Sequence, residues 1–549
     1  MGSTAEQLRP SRGDLMKKHV IPVLIAGAGP AGLALAIELG RAGIDCVVVE
    51  ERDGQITVPK MATLTSRSME FNRRWGIAEA VRKTGWPATL SQDFVYCTSL
   101  VGYELGRRKI PAHIDHRLSY TPEPRASCAQ IFYHPILLAK ARSFPTVVIR
   151  HRTRLDSFTQ DEDCVRAVII DHATGKVETI CARYLVGCDG ADGTVVRSLG
   201  FGYDGLGRLA NSVNVYFRSP ELMSIHSKGW ARFFRFTDAR GTWAELIGID
   251  GKELWRLSVL EADPDFDGPG YIRRLAGTEV AFEILSDMEW ERRERVAQHY
   301  RQGRVFICGD AAHQNSPTGA LGFHTGLADA VDLGWKLIAT LQGWGGERLL
   351  DSYEGERRPI AMLNVRASSD QFRLLAALPG GPEIAKDSAL GEAQRRRWAE
   401  AYRRTNGANS PIYSDNLLLG YCYEDSPICV GDGSPAIPLE TEEFVPSARP
   451  GTRAPHAWIS DQKSTLDMFG KGFVLLRLGV SPPTCDRLVD AAVARRVPIE
   501  VCDLLDREIA ALYEKALVLV RPDGHVAWRA DDIPNDVLGL VDRLCAAAR

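Results

Sequence analysis

The chain has 549 residues, of which 45% are hydrophobic and 25% are charged, and its formal net charge is −3. This length predicts about two to four globular domains, and the near-neutral charge argues against the basic surface that nucleic acids or anionic lipids require. The twelve cysteines include no CxxC pair, which indicates reduced intracellular thiols rather than disulfides or a zinc site. We therefore expect a cytoplasmic protein with no metal ion, no nucleic-acid partner and no membrane segment.

The first predicted elements occupy residues 20–50. An apolar, β-branched run over 20–25 predicts a buried strand, and a G-x-G-x-x-G turn, a helix over 33–39 and a second strand over 46–49 follow it. A secretion signal or a membrane helix is disfavoured because Glu38 and Arg41 interrupt the apolar run. The order of strand, glycine turn, helix and strand predicts a dinucleotide-binding fold.

Each residue of this first motif has a physical task. Gly27 permits the tight turn, Gly29 lets the backbone approach a pyrophosphate, and Gly32 lets the helix pack closely on the strand. The free N–H groups at the helix N-terminus attract phosphate. Glu50 follows the second strand, 23 residues after Gly27, where an acid can accept hydrogen bonds from ribose hydroxyls. This motif alone leaves both NAD and FAD open as the nucleotide.

Two further motifs place an acid at the end of a predicted strand. The strand over 184–186 leads to Asp189 and Gly190, and the strand over 305–308 leads to Gly309 and Asp310, with a long helix predicted from about Gly326. Such an acid can bind a ribityl hydroxyl, and the helix behind it can stabilise an anionic ring carbonyl. Taken singly, each acid is typical of a turn or helix cap. Together with the first motif, and in this order, they are hard to explain as three coincidences.

The remaining segments predict a sheet and a separate C-terminal unit. Alternating aromatic-rich runs over 213–260 predict antiparallel strands, with turns at 238–241 and 250–251. The helix that follows the third motif is predicted to break at Pro359, and helical patterning continues to about residue 404. A stretch rich in Pro, Gly and Ser predicts a linker over 406–455. Strands alternate with helices beyond it, including a hairpin with Asp523 and Gly524 at its turn.

These motifs make the sequence resemble the single-component FAD-dependent aromatic hydroxylases, of the phenol hydroxylase and para-hydroxybenzoate hydroxylase type. The resemblance covers about residues 20–370 and extends more weakly to the thioredoxin-like C-terminal extension of some members. It implies an α/β fold in which a Rossmann-like FAD-binding domain carries an inserted antiparallel substrate sheet. The predicted divisions are the FAD-binding domain over 1–212, with small substrate-domain insertions, and over 296–405, the substrate sheet over 213–295, the linker over 406–455 and the thioredoxin-like domain over 456–549.

The resemblance assigns FAD contacts to specific residues. It implies that the first motif holds the ADP half of FAD, that Asp189 contacts both FAD and NAD(P)H, and that the Gly309–Asp310 pair binds the ribityl chain. Two departures from the family are visible: Lys60 stands where arginine is usual, and Phe323-His324 stands where Met-Asn is common. The residues expected to bind FAD are Gly27, Gly29, Gly32, Glu50, Lys60, Gln130, Asp189, Gly309, Asp310, Pro317 and Gly322.

The same resemblance implies the chemistry. NADH or NADPH reduces FAD, O2 adds at the flavin C4a carbon, and the resulting hydroperoxide transfers OH to a phenol or another electron-rich ring. The Pro317 carbonyl is the expected acceptor for the substrate hydroxyl, while His313 and His324 are either proton relays or ordinary turn histidines. Pocket walls are expected among residues of the predicted sheet, although each could equally be sheet core; the candidates are Arg232, Phe234, Trp243 and Trp255.

Other functions remain open at this point. The same scaffold could carry out epoxidation or Baeyer–Villiger oxidation of a polyketide-like substrate, and a degenerate flavoprotein with a binding role is favoured by the Phe323-His324 departure. A simple NAD dehydrogenase would leave the second and third motifs without a role. The partner we expect is a small aromatic substrate, and the C-terminal extension suits packing or a homodimer because it lacks a CxxC motif.

Overall fold

The computed structural model describes residues 20–110, 118–262, 265–346, 348–406, 415–439 and 444–547. The first 19 residues of the predicted FAD-binding domain lie outside the described residues. Parts of the predicted linker, 407–414 and 440–443, and the last two residues of the predicted thioredoxin-like domain also lie outside them.

Twenty strands and thirteen α-helices are present in these ranges. The strands are β1 Ile21–Ala26, β2 Cys46–Glu50, β3 Phe94–Cys97, β4 Glu104–Arg108, β5 Val147–His151, β6 Thr153–Gln160, β7 Val165–Asp171, β8 Val177–Gly187, β9 Tyr203–Arg218, β10 Phe233–Asp238, β11 Gly241–Gly248, β12 Leu254–Val259, β13 Glu283–Ala297, β14 Arg301–Gln302, β15 Val305–Ile307, β16 His313–Gln314, β17 Phe473–Leu478, β18 Ile499–Leu504, β19 Leu517–Val520 and β20 Val526–Ala530. The helices are α1 Pro30–Arg41, α2 Ser66–Arg74, α3 Ala78–Arg82, α4 Gln130–Arg142, α5 Thr194–Leu199, α6 Gly268–Ala276, α7 Leu321–Gln342, α8 Ser352–Ala376, α9 Ala389–Asn406, α10 Asp415–Leu419, α11 Asp486–Ala494, α12 Arg507–Tyr513 and α13 Val537–Leu544.

The first sheet contains the strands of all three sequence motifs. Its strand order is β14-β15-β8-β1-β2-β5, and β6 and β7 extend it beside β8. The central pairs β15/β8, β8/β1, β1/β2 and β2/β5 are parallel. Parallel strands end at the same edge, so the loops after β1, β8 and β15 converge at one side of this sheet.

The second sheet corresponds to the inserted, mainly antiparallel sheet expected from the sequence. Its order is β16-β13-β9-β12-β11-β10-β3-β4, antiparallel except for the parallel pair of β10 and β3. The sheet extends beyond the predicted segment 213–295, because β9 begins at Tyr203 and β16 lies at His313–Gln314. Strands β3 and β4 come from the first part of the chain, where small insertions into this sheet are predicted. One face packs against α6 in an apolar core that includes Phe217, Phe234 and Leu257.

The C-terminal unit has a four-stranded sheet in the order β18-β17-β19-β20, with β17/β18 parallel and the other pairs antiparallel. Its element order is strand, helix, strand, helix, strand, strand, helix, as in thioredoxin-like domains. Phe473 and Leu475 of β17 share an apolar core with Trp335 and Trp344, which lie in and just after α7. The overall architecture confirms the predicted α/β fold class with its inserted sheet and its C-terminal domain.

The prediction that a helix breaks at Pro359 is wrong. Helix α8 runs without interruption over Ser352–Ala376 with Pro359 inside it. A proline inside a helix costs about 3 kcal/mol because it removes a backbone hydrogen bond, but Glu356, Arg357 and Ile360 beside it are buried. Tertiary packing of this part of the helix therefore outweighs the local preference. No helix in the described part of the chain is long and apolar enough to cross a membrane.

Candidate active site

A cleft of about 1470 Å³ lies where the loops of the first sheet meet the second sheet. Gly32 lies one layer behind the cleft wall, where a side chain would overlap the Gly27 carbonyl oxygen. The structure brings together ten of the eleven residues predicted to bind FAD, and these line the cleft: Gly27, Gly29, Glu50, Lys60, Gln130, Asp189, Gly309, Asp310, Pro317 and Gly322.

The glycine turn after β1 has the geometry that a dinucleotide site needs. Gly27 has a φ of +99°, and a Cβ there would overlap the Cys188 carbonyl oxygen, so no larger residue fits. Gly29 has an ordinary φ of −65° and precedes α1, and a Cβ there would meet no atom within 4 Å. The Gly29 position therefore opens directly into the cleft, where a phosphate could approach the backbone and the N-terminus of α1.

Glu50 connects the end of β2 to this turn. One carboxylate oxygen, Oε2, accepts a hydrogen bond from the Ala28 N–H at 2.8 Å, and Oε1 accepts one from the Arg52 N–H at 3.0 Å. Each carboxylate oxygen has a further lone pair, which ribose hydroxyls could use.

Asp189 stands at the end of β8, ahead of α5. Its Oδ2 accepts a hydrogen bond from the Val195 N–H at 2.9 Å, whereas its buried Oδ1 has no hydrogen-bond partner. Burial raises the pKa of this carboxyl group to about 6. A buried acceptor without a partner beside the cleft is the feature that a bound hydroxyl or N–H group would satisfy.

Gly309 and Asp310 form a short 3-10 turn after β15. Gly309 has a φ of +66° and lies against Ala31 of α1 and Gly326 of α7, and its N–H donates to Asp329 Oδ2 at 3.3 Å. Asp310 is exposed toward the cleft. The turn therefore presents its acid to the same space as the glycine turn of β1.

The loop before α7 is attached to the second sheet. Ser316 Oγ and Thr318 Oγ1 accept hydrogen bonds from the Arg292 guanidinium at 3.3 and 3.4 Å. The Pro317 carbonyl, expected to bind the substrate hydroxyl, accepts a hydrogen bond from the Ala320 N–H at 2.9 Å and keeps one lone pair. Helix α7 begins at Leu321 rather than near Gly326, so its N-terminus directly faces the cleft.

Lys60 and Gln130 lie next to each other in the cleft wall. The Lys60 N–H donates to Gln130 Oε1 at 3.3 Å, and the Lys60 carbonyl accepts a hydrogen bond from Arg256 Nη1 at 2.6 Å. The Lys60 side chain is exposed at the cleft.

The two histidines considered as proton relays have different surroundings. His313 does not line the cleft: it is fully buried, and its Nε2 lies 2.7 Å from Asp329 Oδ2. His324 lines the cleft, with Nδ1 2.7 Å from Ser68 Oγ, and burial lowers its pKa to about 3. His324 is therefore neutral at neutral pH, and His313 reaches the cleft wall only indirectly, through its contacts with Asp329 and with cleft-lining Asn315.

The four residues predicted as pocket walls do not line the cleft. Phe234, Trp243 and Trp255 point to the other face of the second sheet, where they pack with α6. Arg232 is buried behind the wall, where it donates hydrogen bonds to Gln92, Ser127 and the Ala62 carbonyl. Side chains alternate between faces with period two, which places Phe234 and Trp255 on the face opposite Arg235 and Arg256. Trp243 has the same parity as cleft-lining Glu245, but the register shift between β10 and β11 beside it brings it to the α6 face.

The true wall of the second sheet carries three buried arginines that the sequence interpretation missed. Arg235, Arg256 and Arg292 are each no more than 7% exposed, and Arg235 Nε donates to Glu245 Oε2 at 2.6 Å. Burial lowers the pKa of Arg256 and of Arg292 to about 10 in each case, and the negative charge of Glu245 opposes both shifts. The positive charges of Arg256 and Arg235 lower the pKa of Arg292 further. Arg256 and Arg292 both remain charged at neutral pH. The signal available in the sequence was the alternation of arginine with aromatic residues along β10 and β12.

Two further polar groups on this wall lack hydrogen-bond partners. They are Asn214 Oδ1 and Trp290 Nε1, both buried, and both residues line the cleft. Arg256 Nε is also buried without a partner. These groups offer one acceptor and two donors to a bound molecule. Among the described residues, no cluster of His, Cys, Asp or Glu is arranged to hold a metal ion.

Comparison with known proteins supports this geometry. The FAD binding domain family matches residues 20–368, and the aromatic-ring hydroxylase C-terminal family matches residues 447–548. Aklavinone 12-hydroxylase RdmE of Streptomyces purpurascens is 33% identical over 559 residues, covering 95% of this chain and 97% of that protein.

Two solved structures extend the comparison. RebC soaked with chromopyrrolic acid, with bound 7-carboxy-K252c, has a TM-score of 0.90 at 40% identity and covers 96% of this chain and 100% of that chain. The ternary complex of aklavinone-11 hydroxylase with FAD and aklavinone has a TM-score of 0.78 at 30% identity, with 97% and 100% covered.

Proposed function

Because the chain belongs to the family of FAD-dependent aromatic-ring hydroxylases, we propose that its substrate is a large, planar aromatic compound that carries an acidic group. The protein is an FAD-dependent monooxygenase, with reduced nicotinamide and O2 as co-substrates. A cytoplasmic location, a homodimer and the choice between NADH and NADPH stay predictions of the sequence.

The observation that carries this proposal is the buried charge of the cleft wall. Three arginines, Arg235, Arg256 and Arg292, are buried there. Arg235 pairs with Glu245, whereas Arg256 donates to backbone carbonyls and Arg292 donates to hydroxyl groups. Buried charges are stable when an opposite charge or hydrogen-bond acceptors accompany them. An acidic substrate group would add a negative charge beside Arg256 and Arg292 and accept the hydrogen bond that Arg256 Nε can donate.

The size of the cleft supports a large substrate. Single small-molecule sites occupy roughly 300–1,000 Å³, whereas this cleft measures about 1470 Å³. It therefore has room for a dinucleotide and a second, multi-ring molecule together. The names of the relatives agree with this substrate class, since aklavinone hydroxylase binds aklavinone and RebC binds 7-carboxy-K252c, a ligand named for its carboxyl group.

We further propose that the ten cleft-lining residues identified from the sequence hold FAD. Gly27, Gly29 and the N-terminus of α1 would receive the pyrophosphate, Glu50 the ribose, and Asp310 the ribityl chain. The chemistry that FAD supplies when bound is acceptance of a hydride from reduced nicotinamide and activation of O2. The protein's own part is to orient the substrate ring against the Pro317 loop, to bind the substrate hydroxyl at the Pro317 carbonyl, and to exclude water.

The substrate proposal is tested with pairs of polycyclic aromatic carboxylic acids and their methyl esters, titrated into the yellow enzyme while the flavin absorption spectrum is recorded. We expect at least one acid to bind about tenfold or more tightly than its ester, since a charged hydrogen bond in a buried site is worth at least 1.4 kcal/mol. Arg292→Gln should remove this preference, and Arg218→Gln, an exposed arginine of the same sheet, should keep it. Equal binding of acids and esters by the unaltered enzyme would refute the proposal.

A further inference from the structure

The C-terminal domain inserts one hairpin into the interior of the protein. The turn between β19 and β20 carries Arg521, Asp523 and His525, each no more than 3% exposed. It contacts α7 at Asp332 and α8 at Glu356, and the lack of a CxxC motif leaves this domain without thiol–disulfide exchange chemistry. The chemistry of the cleft gives this hairpin no evident role.

Arg521 joins α7 to α8. Its guanidinium donates to Glu356 Oε1 and Oε2 at 2.6 and 2.9 Å and to Asp332 Oδ1 at 3.0 Å, and it also pairs with Asp523 at 2.7 Å. Lys336 Nζ donates to Asp332 Oδ2 at 2.7 Å and to Glu356 Oε2 at 2.6 Å. We call Asp332, Lys336, Glu356, Arg521 and Asp523 the buried charge cluster.

The residues next to this cluster hold the Gly309–Asp310 turn. Asp329 lies one helical turn before Asp332 and accepts hydrogen bonds from the Gly309 N–H and, at 2.8 Å, from Arg357 Nε. Arg357 directly follows Glu356 in α8. Glu356 and Arg357 thus connect the buried charge cluster to the acid that positions the flavin turn.

A second contact reaches Arg357 from the segment that precedes the C-terminal domain. Arg357 Nη1 donates to the Tyr423 hydroxyl at 3.1 Å. The Tyr423 ring lies 4.5 Å from the His525 ring and 5.1 Å from the Arg521 guanidinium, measured from the ring centroid. Both arginines therefore share one aromatic ring, which fixes their relative position.

The hairpin also reaches a third element at the cleft. Arg67 of α2 donates to the Asp523 carbonyl at 3.1 Å, and the next residue, Ser68, contacts cleft-lining His324. Arg453, outside the hairpin but in the same C-terminal region, binds Glu70 of α2 at 2.9 Å.

From these contacts we propose that Arg521 is a positioning residue for FAD, and that the C-terminal domain holds the Gly309–Asp310 turn in its binding geometry through α7 and α8. This inference rests on the proposed placement of FAD at that turn. Removing one partner of a buried ion pair leaves other charges uncompensated. Without Arg521, Lys336 is the one cation left on Glu356 and Asp332 among the described residues, beside the Ser426 hydroxyl that donates to Glu356. The α7–α8 register that supports Asp329 then loosens.

The test compares two buried arginines of the same domain in the full-length protein. Arg521→Met removes the cluster contact, whereas Arg529→Met removes an arginine of β20 that pairs with Asp432 and Glu514 and does not reach α7 or α8. Apoprotein is titrated with FAD, and the visible circular dichroism of the bound flavin is recorded at saturation. We expect Arg521→Met to weaken FAD binding about tenfold and to change the flavin spectrum, and Arg529→Met to do neither.

Tyr423→Phe provides a milder second variant, since it removes only the hydroxyl that Arg357 contacts. It should weaken FAD binding about threefold and change the flavin spectrum in the same direction. FAD binding by Arg521→Met equal to that of the unaltered protein, or losses of equal size in Arg521→Met and Arg529→Met, would overturn the positioning role. Asp310→Ala separates the two proposals: if it leaves FAD binding unchanged, the placement of FAD at this turn fails, whatever the arginine variants show.

Discussion

The Glu50 carboxylate lies 2.8 Å from the Ala28 backbone nitrogen and accepts its hydrogen bond. This contact joins the acid at the end of β2 directly to the glycine turn after β1, and these are the two parts of the proposed ADP site. A charge-assisted bond of this kind is stronger than a bond between neutral groups. The hydrogen bond therefore holds Glu50 in a fixed position relative to the glycine turn.

Glu50→Gln should weaken FAD binding. An amide has one acceptor oxygen, so it cannot accept from both Ala28 and Arg52, and its uncharged oxygen binds ribose hydroxyls less strongly. We expect the dissociation constant for FAD to rise about tenfold. A titration of apoprotein measures it, with Glu79→Gln on the surface of α3 as the control. Unchanged affinity would show that Glu50 does not contact the nucleotide.

Gly29→Glu should give a folded but colourless protein. A side chain at Gly29 meets no protein atom within 4 Å, so the fold tolerates it, but its carboxylate would occupy the path of the pyrophosphate. Gly29→Ala is the matched control, because a methyl group fits there and carries no charge, and it should remain yellow. Absorbance near the flavin band and far-ultraviolet circular dichroism report the two properties. A yellow Gly29→Glu protein would be incompatible with the proposed FAD site.

The sequence predicted the fold class, the family and FAD correctly because these depend on local patterns. Gly27 and Gly32 have no room for a side chain, Gly29 leaves the turn open to the cleft, and the acids follow strands whose apolar character is plain. Parallel strands then bring the three motifs to one edge. This part of the site could be read from the sequence since each constraint acts within a few residues.

The substrate wall could not be predicted in the same way. Strand β10 is buried on both faces, with Phe234 on one side and Phe233 and Arg235 on the other. Periodicity identifies the two faces but not which of them borders the cleft, because that depends on the position of α6 and of the FAD-binding domain. The break predicted at Pro359 failed for a related reason, since distant packing determines whether a helix continues.

Trp243→Leu tests this assignment of faces. Trp243 stacks on Tyr271 of α6 and lies under the Arg274 guanidinium at 4.0 Å, away from the cleft. The substitution should lower the free energy of unfolding by about 3 kcal/mol, as measured with urea, and leave the affinities for FAD and for an aromatic acid unchanged. Weaker ligand binding without a loss of stability would place Trp243 in the pocket after all.

The stability of the apoprotein should depend on pH through His324. Burial lowers its pKa to about 3, whereas an unfolded histidine titrates near pH 6.5. Between these values the unfolded chain binds a proton that the folded chain does not, so stability falls as pH falls. His324→Asn should reduce the loss between pH 7.5 and pH 5 by about 2 kcal/mol. Urea unfolding of both proteins at the two pH values measures it, and parallel pH dependences would contradict the neutral, buried state.

The most direct test of the whole account is substrate-stimulated oxidation of NADH and NADPH by the purified yellow protein. The assay covers polycyclic aromatic acids, their methyl esters and simple phenols, and it quantifies hydroxylated product and hydrogen peroxide together. The account predicts that a polycyclic acid stimulates the reaction and yields a hydroxylated product with little peroxide, while its ester does so weakly. Stimulation and hydroxylation confined to simple neutral phenols would contradict the assignment of the arginine wall to an acidic, multi-ring substrate.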